Sequence, residues 1–389
     1  MKTLEDFDFE NRRTIVRCDF NVSIKDKKVV DNFRIRQVLS TIKYLVEKKA
    51  KIILISHLDK PKGRDKKYTL MPVAEELKKL LDKEVRFLND CKGKKIEKQI
   101  EIMKQGDVVL LENLRFYPEE EANDPKFAES LSKLGDIYIS EAFGVCHRKH
   151  ASIFSLPKLM PSGIGFLFAK EITSLSKVRE NPDRPFVVVI GGAKIPSKMK
   201  MVEKFLPKAD YVLLGGKIAN VILTVKEICL GKKWPEEDII KTIKNIKLTD
   251  EKIYLPVDVV VSSKEDEKEY IRETGPALVK KEEDIFDIGP ETIEIFEKII
   301  RKARTIIWAG TLGLAEDERF RKGTKSIANA ITRNYDAFTI AGGGDTMKFL
   351  NEFGLSDRFS YTSTGGGAML NYLAKEEMPG IEALKQYYE

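Results

Sequence analysis

The stretch from Pro185 to Leu206 reads "PFVVVIGGAKIPSKMKMVEKFL". Phe186–Ile190 is an unbroken apolar run, mostly β-branched. Because it does not alternate with polar residues, both of its faces must be covered, which is the mark of a strand in a parallel sheet under helices. Two glycines end the run. The residues from Ser197 onward return to apolar positions at helical spacing. Similar units recur along the chain. In the first half "RTIVRCDF", "AKIILISH", "DVVLLENL" and "DIYISEAF" read as strands; in the second half "DYVLLGG", "TIIWAG", "AFTIAGG" and "RFSYTST" do. Amphipathic stretches such as "VLSTIKYLVEKK", "VAEELKKLL" and "TIEIFEKIIRKA" lie between them. Strands alternating with helices at this spacing predict an α/β protein of two doubly wound, parallel-sheet, Rossmann-like domains. "FLFAKEITSLSKVREN" has helical spacing and runs into "NPDRPF", whose two prolines punctuate the chain. It predicts a connecting helix over 166–181, with one domain over 1–165 and another over 182–375.

The chain has 389 residues, with 42% hydrophobic content, enough for two sizeable cores. Its net charge of +7 comes from 68 basic and 61 acidic residues. The lysines are spread along helical faces, so the excess reads as a solvated surface and not as a nucleic-acid footprint. The acidic N-terminus lacks the apolar core of a signal peptide, and no apolar run is long enough to span a membrane. Cys18, Cys91, Cys146 and Cys229 are scattered without a CxxC pair, which suits reduced thiols in a cytoplasm.

Open parallel sheets bind ligands beyond the carboxyl ends of their strands. In the first half those ends carry Arg17, Asp19, Asn21, His57, Lys60, Arg115, His147, Arg148 and His150, with Arg34 close behind. All three histidines of the chain fall in this set. Arginines match phosphate and carboxylate oxygens in paired geometry, so a basic, anion-binding pocket is expected. In the second half the ends read "GGAK", "GGK", "AGTLG", "AGGGD" and "TSTGGGA". Glycines let a backbone approach a phosphate, and helix N-termini aim N–H groups at it. Neither a Walker A motif nor GxGxxG is present. Together the halves point to phosphoryl transfer between a small anion and a nucleotide, with the domains closing to exclude water.

At "RCDFNV", "SHLDKPKG", "LLENLRFYPEEE", "EAFGVCHRKHAS", "GGAKIPSK", "LPVDVVV", "DIGPET", "GTKSIANAI", "GGGDT" and "STGGGAML" the chain resembles the phosphoglycerate kinase family, in the family's order and spacing. The resemblance implies the phosphoglycerate kinase fold. It also implies reversible transfer from 1,3-bisphosphoglycerate to ADP, giving 3-phosphoglycerate and ATP with Mg²⁺, by a cytoplasmic monomer with no nucleic-acid or membrane partner. Substrate contacts are then expected at Asp19, Phe20, Asn21, Arg34, His57, Leu58, Asp59, Lys60, Arg115, Arg148 and His150. Nucleotide contacts are expected at Gly192, Lys194, Lys198, Gly215, Gly289, Glu316, Gly343, Gly344, Asp345 and Thr346, with Asp345 reaching the Mg²⁺. Arg34, Lys194, Lys198, Gly343 and Gly366 would act on the moving phosphoryl group. "PGIEALKQYYE" resembles the family's C-terminal tail, so residues ~376–389 are expected to return to the first domain.

The chain also departs from the family's usual pattern. "SHLDKP" stands for "SHLGRP", so Lys60 keeps a charge but loses the guanidinium fork, and Asp59 adds a negative charge. "EAFG" stands for "DAFG", making Glu141 one methylene longer. "AGT" stands for "NGP", so Ala309 lacks an asparagine's hydrogen bonds. Ser197 and Met369 replace a common aspartate and serine. Ala309 and Lys60 motivate one alternative, a catalytically impaired paralogue that binds nucleotide or anion as a regulator. Asp345 has a second reading too, as the N-cap of its helix.

Overall fold

In the computed structural model, residues 1–229, 235–245, 251–265 and 268–386 are described. The last three residues of the expected tail lie outside them. The chain divides into two compact units, Met1–Leu175 together with the C-terminal segment from Glu376, and Ser176–Lys375.

The apolar runs of the first unit form a six-stranded parallel sheet. Its strands are β1 (Arg13–Arg17), β2 (Lys51–Ile55), β3 (Val85–Leu88), β4 (Val108–Leu111), β5 (Ile137–Ser140) and β6 (Ser162–Ile164). Their order is β3-β4-β2-β1-β5-β6. β3, with Arg86 at its centre, and the three-residue β6 are too short and too polar to stand out as apolar runs. Helix α1 (Phe33–Glu47) lays Ile35, Val38, Ile42 and Leu45 on the sheet residues Val16, Ile52, Leu54 and Ile139, forming one continuous core.

The second unit repeats the plan. β7 (Phe186–Ile190), β8 (Tyr211–Leu214) and β9 (Ile253–Tyr254) join β13 (Thr305–Ala309), β14 (Phe338–Gly342) and β15 (Tyr361–Ser363) in the order β9-β8-β7-β13-β14-β15. All five residues of β7 are buried, as its lack of alternation requires. An antiparallel sheet of β10 (Val259–Glu265), β11 (Lys268–Thr274) and β12 (Asp284–Ile288), ordered β11-β10-β12, is an addition that a purely parallel reading misses.

Helix α2 (Phe166–Glu180) crosses the division between the units. Its N-terminus is bonded by Glu141. The carboxylate accepts hydrogen bonds from the backbone N–H groups of Leu167, at 3.2 Å, and Phe168, at 2.8 Å, and from the Thr41 hydroxyl of α1. Burial pushes Glu141 up to about 7 in spite of these bonds, which favour its charged form. The Thr41 hydroxyl oxygen in turn accepts from Phe166 N–H at 3.0 Å. One buried carboxylate therefore caps α2 and ties it to α1. At the other end of the chain, α9 (Pro379–Gln386) packs on the first unit, with Gly380 N–H donating to the Cys146 carbonyl.

The glycines after the strands are of two kinds. At the ends of β7 and β13, Gly191 and Gly310 face each other backbone to backbone; a Cβ on Gly191 would collide with the Thr311 carbonyl, and one on Gly310 with that of Gly191. Gly215 is held similarly against Leu312. Gly343 and Gly366 have φ of +104° and +47°, and a Cβ on either would meet nothing closer than 3.7 Å. Gly344 has open space beside it. The first kind serves packing and the second leaves the backbone bare. Gly191→Ala is therefore expected to destabilise the second unit by about 2–3 kcal/mol. Gly344→Ala should shift the midpoint of denaturant unfolding by less than ~0.5 kcal/mol equivalent. Equal effects from the two would contradict this division.

Candidate active site

The basic pocket of the first unit stands on the carboxyl ends of β1, β2, β4 and β5. Its centre is His57, fully buried and surrounded by charge. Burial first, then the neighbouring Arg17, Arg115, Arg34 and Arg148, hold its imidazole well below the usual histidine range. Arg17 Nη2 lies 3.3 Å from His57 Nδ1. A guanidinium can only donate, so Nδ1 is the acceptor and the ring proton sits on Nε2. The sequence groups Arg17 with the ligand candidates, but its side chain is wholly enclosed. It donates to Ser152 Oγ at 2.8 Å and to the Cys18 carbonyl, and lies 3.9 Å from Glu120. Glu120 is itself buried and accepts from Ser152 N–H and Oγ. Arg17 is thus a scaffold cation, not an open one.

Around this centre stand the groups that face outward. Arg34 is partly exposed and pairs with Asp19 at 2.6 Å. Arg115 is 4% exposed. Its Nη1 donates to the Asp59 carbonyl at 2.6 Å, and its Nε sits 3.1 Å from Glu121 without pointing along a hydrogen bond. Its Nη2 is buried and has no hydrogen-bond partner among the described residues. His150 is depressed to about 3 by burial and then by Arg115, Arg17 and Arg148, and its buried Nδ1 also lacks a partner among the described residues. His147 Nε2 accepts from Arg148 Nε at 3.3 Å, and burial and Arg148 lower its pKa to about 4. The pocket therefore holds several guanidinium groups, three neutral imidazoles and unused donors, an arrangement that an anion with several oxygens would complete.

The loops of this pocket are joined by a residue that the sequence does not single out. Asn113 is buried. Its side-chain oxygen accepts from the N–H groups of Leu58 and Arg115, and its amide donates to the carbonyls of Leu58 and Tyr68. Its only sequence signal is that it starts the "NLRF" turn. Among the expected contacts, the side chains of Phe20 and Leu58 belong to the core, so only their backbones are available to a ligand. Asn21 Oδ1 accepts from Asp59 N–H at 2.9 Å. Asp59 and Lys60 are exposed, and Asp59 sits at φ +55°, where the family's usual glycine would be at ease.

The second unit carries a cavity of about 660 Å³ whose lining includes Gly192, Gly216, Thr311, Glu316 and Asp345. The N-terminus of α3 (Ile195–Phe205) begins beside it, with exposed Lys194 at the cap position and Pro196 in the first turn. Lys198 does not reach outward: its Nζ donates to the Ala309 carbonyl at 2.9 Å, and burial lowers it to about 8. Helix α7 (Gly344–Glu352) starts from Gly343, and a Cβ on Gly366, at the start of α8 (Gly367–Leu373), would lie 3.9 Å from the Cα of Gly343. The two triple-glycine turns are therefore neighbours. The capping reading of Asp345 is not realised: Gly343 is the cap, no side chain bonds it, and Asp345 is exposed in the first turn. Thr346 is buried and accepts from Gly310 N–H at 2.7 Å, tying the turn after β13 to the first turn of α7. Gly215 packs against Leu312, and Gly289 lies against the carboxylate of Asp258, which caps helix α5 (Pro290–Ile300) by accepting from Glu291 and Thr292 N–H. Neither of these two glycines lines the cavity.

Two parallel-sheet units, one with a basic pocket and one with a glycine-edged cavity, define a phosphotransferase of the α/β class. The model of the phosphoglycerate kinase family matches residues 4–376, and the chain belongs to that family. It is 43% identical over 392 residues to the phosphoglycerate kinase of Dictyoglomus turgidum, covering 98% of both chains, and 40% identical over 390 residues to that of Aquifex aeolicus, covering 97% of this chain and 96% of the other. Among solved structures, that of the Pyrococcus horikoshii phosphoglycerate kinase superposes with a TM-score of 0.90 at 35% identity, covering 100% of this chain and 99% of the other. That from Coxiella burnetii gives 0.85 at 33%, covering both chains fully. The chain is accordingly a kinase, and the relatives give no support to a non-catalytic regulator.

Asp59 offers a test of the pocket's electrostatics. Asp59→Gly removes an exposed negative charge from beside a cationic site and relaxes a left-handed backbone. The KM for 3-phosphoglycerate should fall about two- to five-fold at low salt, and the gain should fade at high ionic strength. An unchanged or raised KM at low salt would count against this picture of the pocket.

Proposed function

We propose that the basic pocket binds the phosphoglycerate and the second unit's cavity binds the adenine nucleotide, so that a phosphoryl group passes reversibly from 1,3-bisphosphoglycerate to ADP. The observation that carries this is the set of buried, unpartnered N–H donors on Arg115, with the unpartnered Nδ1 of His150 beside them, set among arginines that repel one another. A small, highly charged anion would satisfy those donors and relieve that repulsion.

In this reading Asp19, Asn21 and Arg34 hold the glycerate end, and Arg115, Arg148, His150 and His57 form the surround of the distant phosphate. Lys194, at the start of α3, and Arg34 supply positive charge to the moving group, which carries charge on three oxygens. The bare N–H groups of the two adjoining glycine turns, at Gly343, Gly344 and Gly366, serve the same charge. In the reverse direction the carboxylate of 3-phosphoglycerate is itself the nucleophile, so no general base is needed. Lys198 leaves the Ala309 carbonyl to meet the nucleotide's phosphates, and Glu316 takes the ribose. The two pockets belong to different units, so the reaction requires the units to close on one another. In this reading, which follows the family resemblance, the enzyme works as a cytoplasmic monomer.

Mg²⁺ fits this arrangement. Asp345 is an exposed carboxylate that lines the cavity and has no capping role. Such a site suits an ion that comes with phosphate oxygens and takes a single protein carboxylate. Asp345 would hold it. When bound, it would neutralise charge on the nucleotide's phosphates.

The test is a coupled assay with 3-phosphoglycerate and MgATP. Lys194→Ala and Arg34→Ala should each lower kcat by about 10²–10³-fold. Their melting temperatures should stay near that of the wild type, since Lys194 is exposed and Arg34 partly so. A wild type with no turnover would overturn the reading, and a Lys194→Ala variant as fast as wild type would overturn the role given to that lysine.

A further inference from the structure

We propose that Glu120 and Ser152 are positioning residues, which act through Arg17 to hold the His57 ring with its proton on the nitrogen that meets the anion. The inference rests on the reading of the basic pocket as the phosphoglycerate site, and it gives a part in that site to two residues buried behind it.

The chain of bonds ends at a carboxylate with no access to water. Glu120, in the short helix Pro118–Glu121, is 0% exposed. Its Oε2 accepts from Ser152 N–H at 2.9 Å and its Oε1 from the Ser152 hydroxyl at 2.5 Å. Ser152 is also 0% exposed and sits in a single π-helical turn, Ala151–Ser155, that follows His150 directly. Such turns are rare and gather at functional sites. The hydroxyl of Tyr138, on β5, donates to the Ser152 carbonyl at 2.9 Å. The N–H, carbonyl and hydroxyl proton of Ser152 are therefore all committed. Only an oxygen lone pair is left for Arg17 Nε, which donates to it at 2.8 Å. Arg17 Nη1 is taken by the Cys18 carbonyl. A guanidinium is planar, so with two of its edges fixed Nη2 has one direction to point, toward His57 Nδ1 at 3.3 Å.

The far end of the ring then follows. In a neutral histidine the bond made by one nitrogen decides where the proton of the other sits. His57 Nε2 has no hydrogen-bond partner among the described residues. It is also not one of the buried unpaired nitrogens, unlike the Nδ1 atoms of His147 and His150. It therefore keeps an opening, although His57 as a whole is only 2% exposed. Arg34, Arg115 and Arg148 surround the same ring. Anion oxygens can only accept. A neutral imidazole that presents Nε2–H to them donates, whereas one that presents a lone pair repels them. A Glu120–Ser152 pair that only steadied its loop would leave the ring's proton and plane alone, so readouts on His57 separate the two cases.

Nitrogen-15 NMR of histidine-labelled protein reads the ring directly, with His57 identified by the signals missing from His57→Ala. In the free wild type His57 should carry its proton on Nε2 and none on Nδ1, and 3-phosphoglycerate should move Nε2 more than Nδ1. A proton on Nδ1 would overturn the proposal. Ser152→Ala takes the acceptor from Arg17 Nε. The Nδ1 resonance should then move toward that of a nitrogen accepting no hydrogen bond. The KM for 3-phosphoglycerate should rise about ten-fold, with kcat and the KM for MgATP within about two-fold of wild type. Glu120→Gln, which turns an N–H on one of the two groups that donate to it, should act in the same direction. In a His57→Ala background Ser152→Ala should change the KM by less than about two-fold, because the ring it acts through is gone. Effects that multiply in full, or a Ser152→Ala variant with the wild-type Nδ1 resonance and KM, would overturn the proposal. Should Ser152→Ala fail to fold, the comparison passes to Glu120→Gln, and the wild-type tautomer remains a test by itself. Failure of the phosphoglycerate reading would look different. 3-Phosphoglycerate would then move no histidine signal and the coupled assay would show no turnover, while the tautomer of the free protein and its response to Ser152→Ala would still judge the chain of bonds.

Discussion

Four arginines around one histidine set the terms for the first unit. Arg17, Arg34, Arg115 and Arg148 all act on His57, and each positive charge raises the cost of the others. The fold meets that cost in three ways. Arg17 is buried against Glu120 and its hydroxyl partner Ser152, so the charge least able to reach solvent has a counter-charge. Arg34 is paired with Asp19. The three histidines stay neutral and add nothing to the repulsion. What is left over, the unpartnered nitrogens of Arg115 and His150, is what the proposed function gives to an anion. The parallel sheet exists, for this purpose, to bring the ends of four strands to one place.

In the proposed function the second unit handles phosphate by other means. Its Lys198 is withdrawn onto a backbone carbonyl, and its glycine turns offer N–H groups and helix termini in place of guanidinium groups. This difference suits the two ligands. A small acid needs several charges to be held, whereas a nucleotide also has a base and a sugar that the cavity can grip. In the proposed function the charge that acts on the moving group comes from few residues, Lys194 and Arg34 foremost.

Much of this was legible in the sequence. β7 and β13 are unbroken apolar runs, and such runs have few other ways to fold. The basic residues at strand ends were legible because a parallel sheet gathers those ends. What was hidden depends on partners far along the chain. Gly191 and Gly310 look like further phosphate glycines, yet each is required by the other's backbone. Asn113 looks like an ordinary turn residue, and only the meeting of three loops gives it four hydrogen bonds. The antiparallel β10–β12 sheet escaped a reading tuned to buried parallel strands, since β11 is largely polar. Asp345 had two plausible roles by position, and the helix geometry removed one. Glu141 reads in the sequence as a small departure, and only the fold shows its carboxylate accepting from the first turn of α2.

The claim on which the rest depends is that the pocket's histidines are kept neutral by burial and surrounding arginines until an anion arrives. All three histidines of the chain lie in this pocket. Nitrogen-15 NMR titration of histidine-labelled protein, with and without saturating 3-phosphoglycerate, addresses it directly. The account predicts that in the free protein His147 and His150 titrate near 4 and 3, with His57 also well below the ordinary 6.5. Added negative charge should raise at least His150 on binding. Three histidines titrating near 6.5, and indifferent to 3-phosphoglycerate, would contradict it.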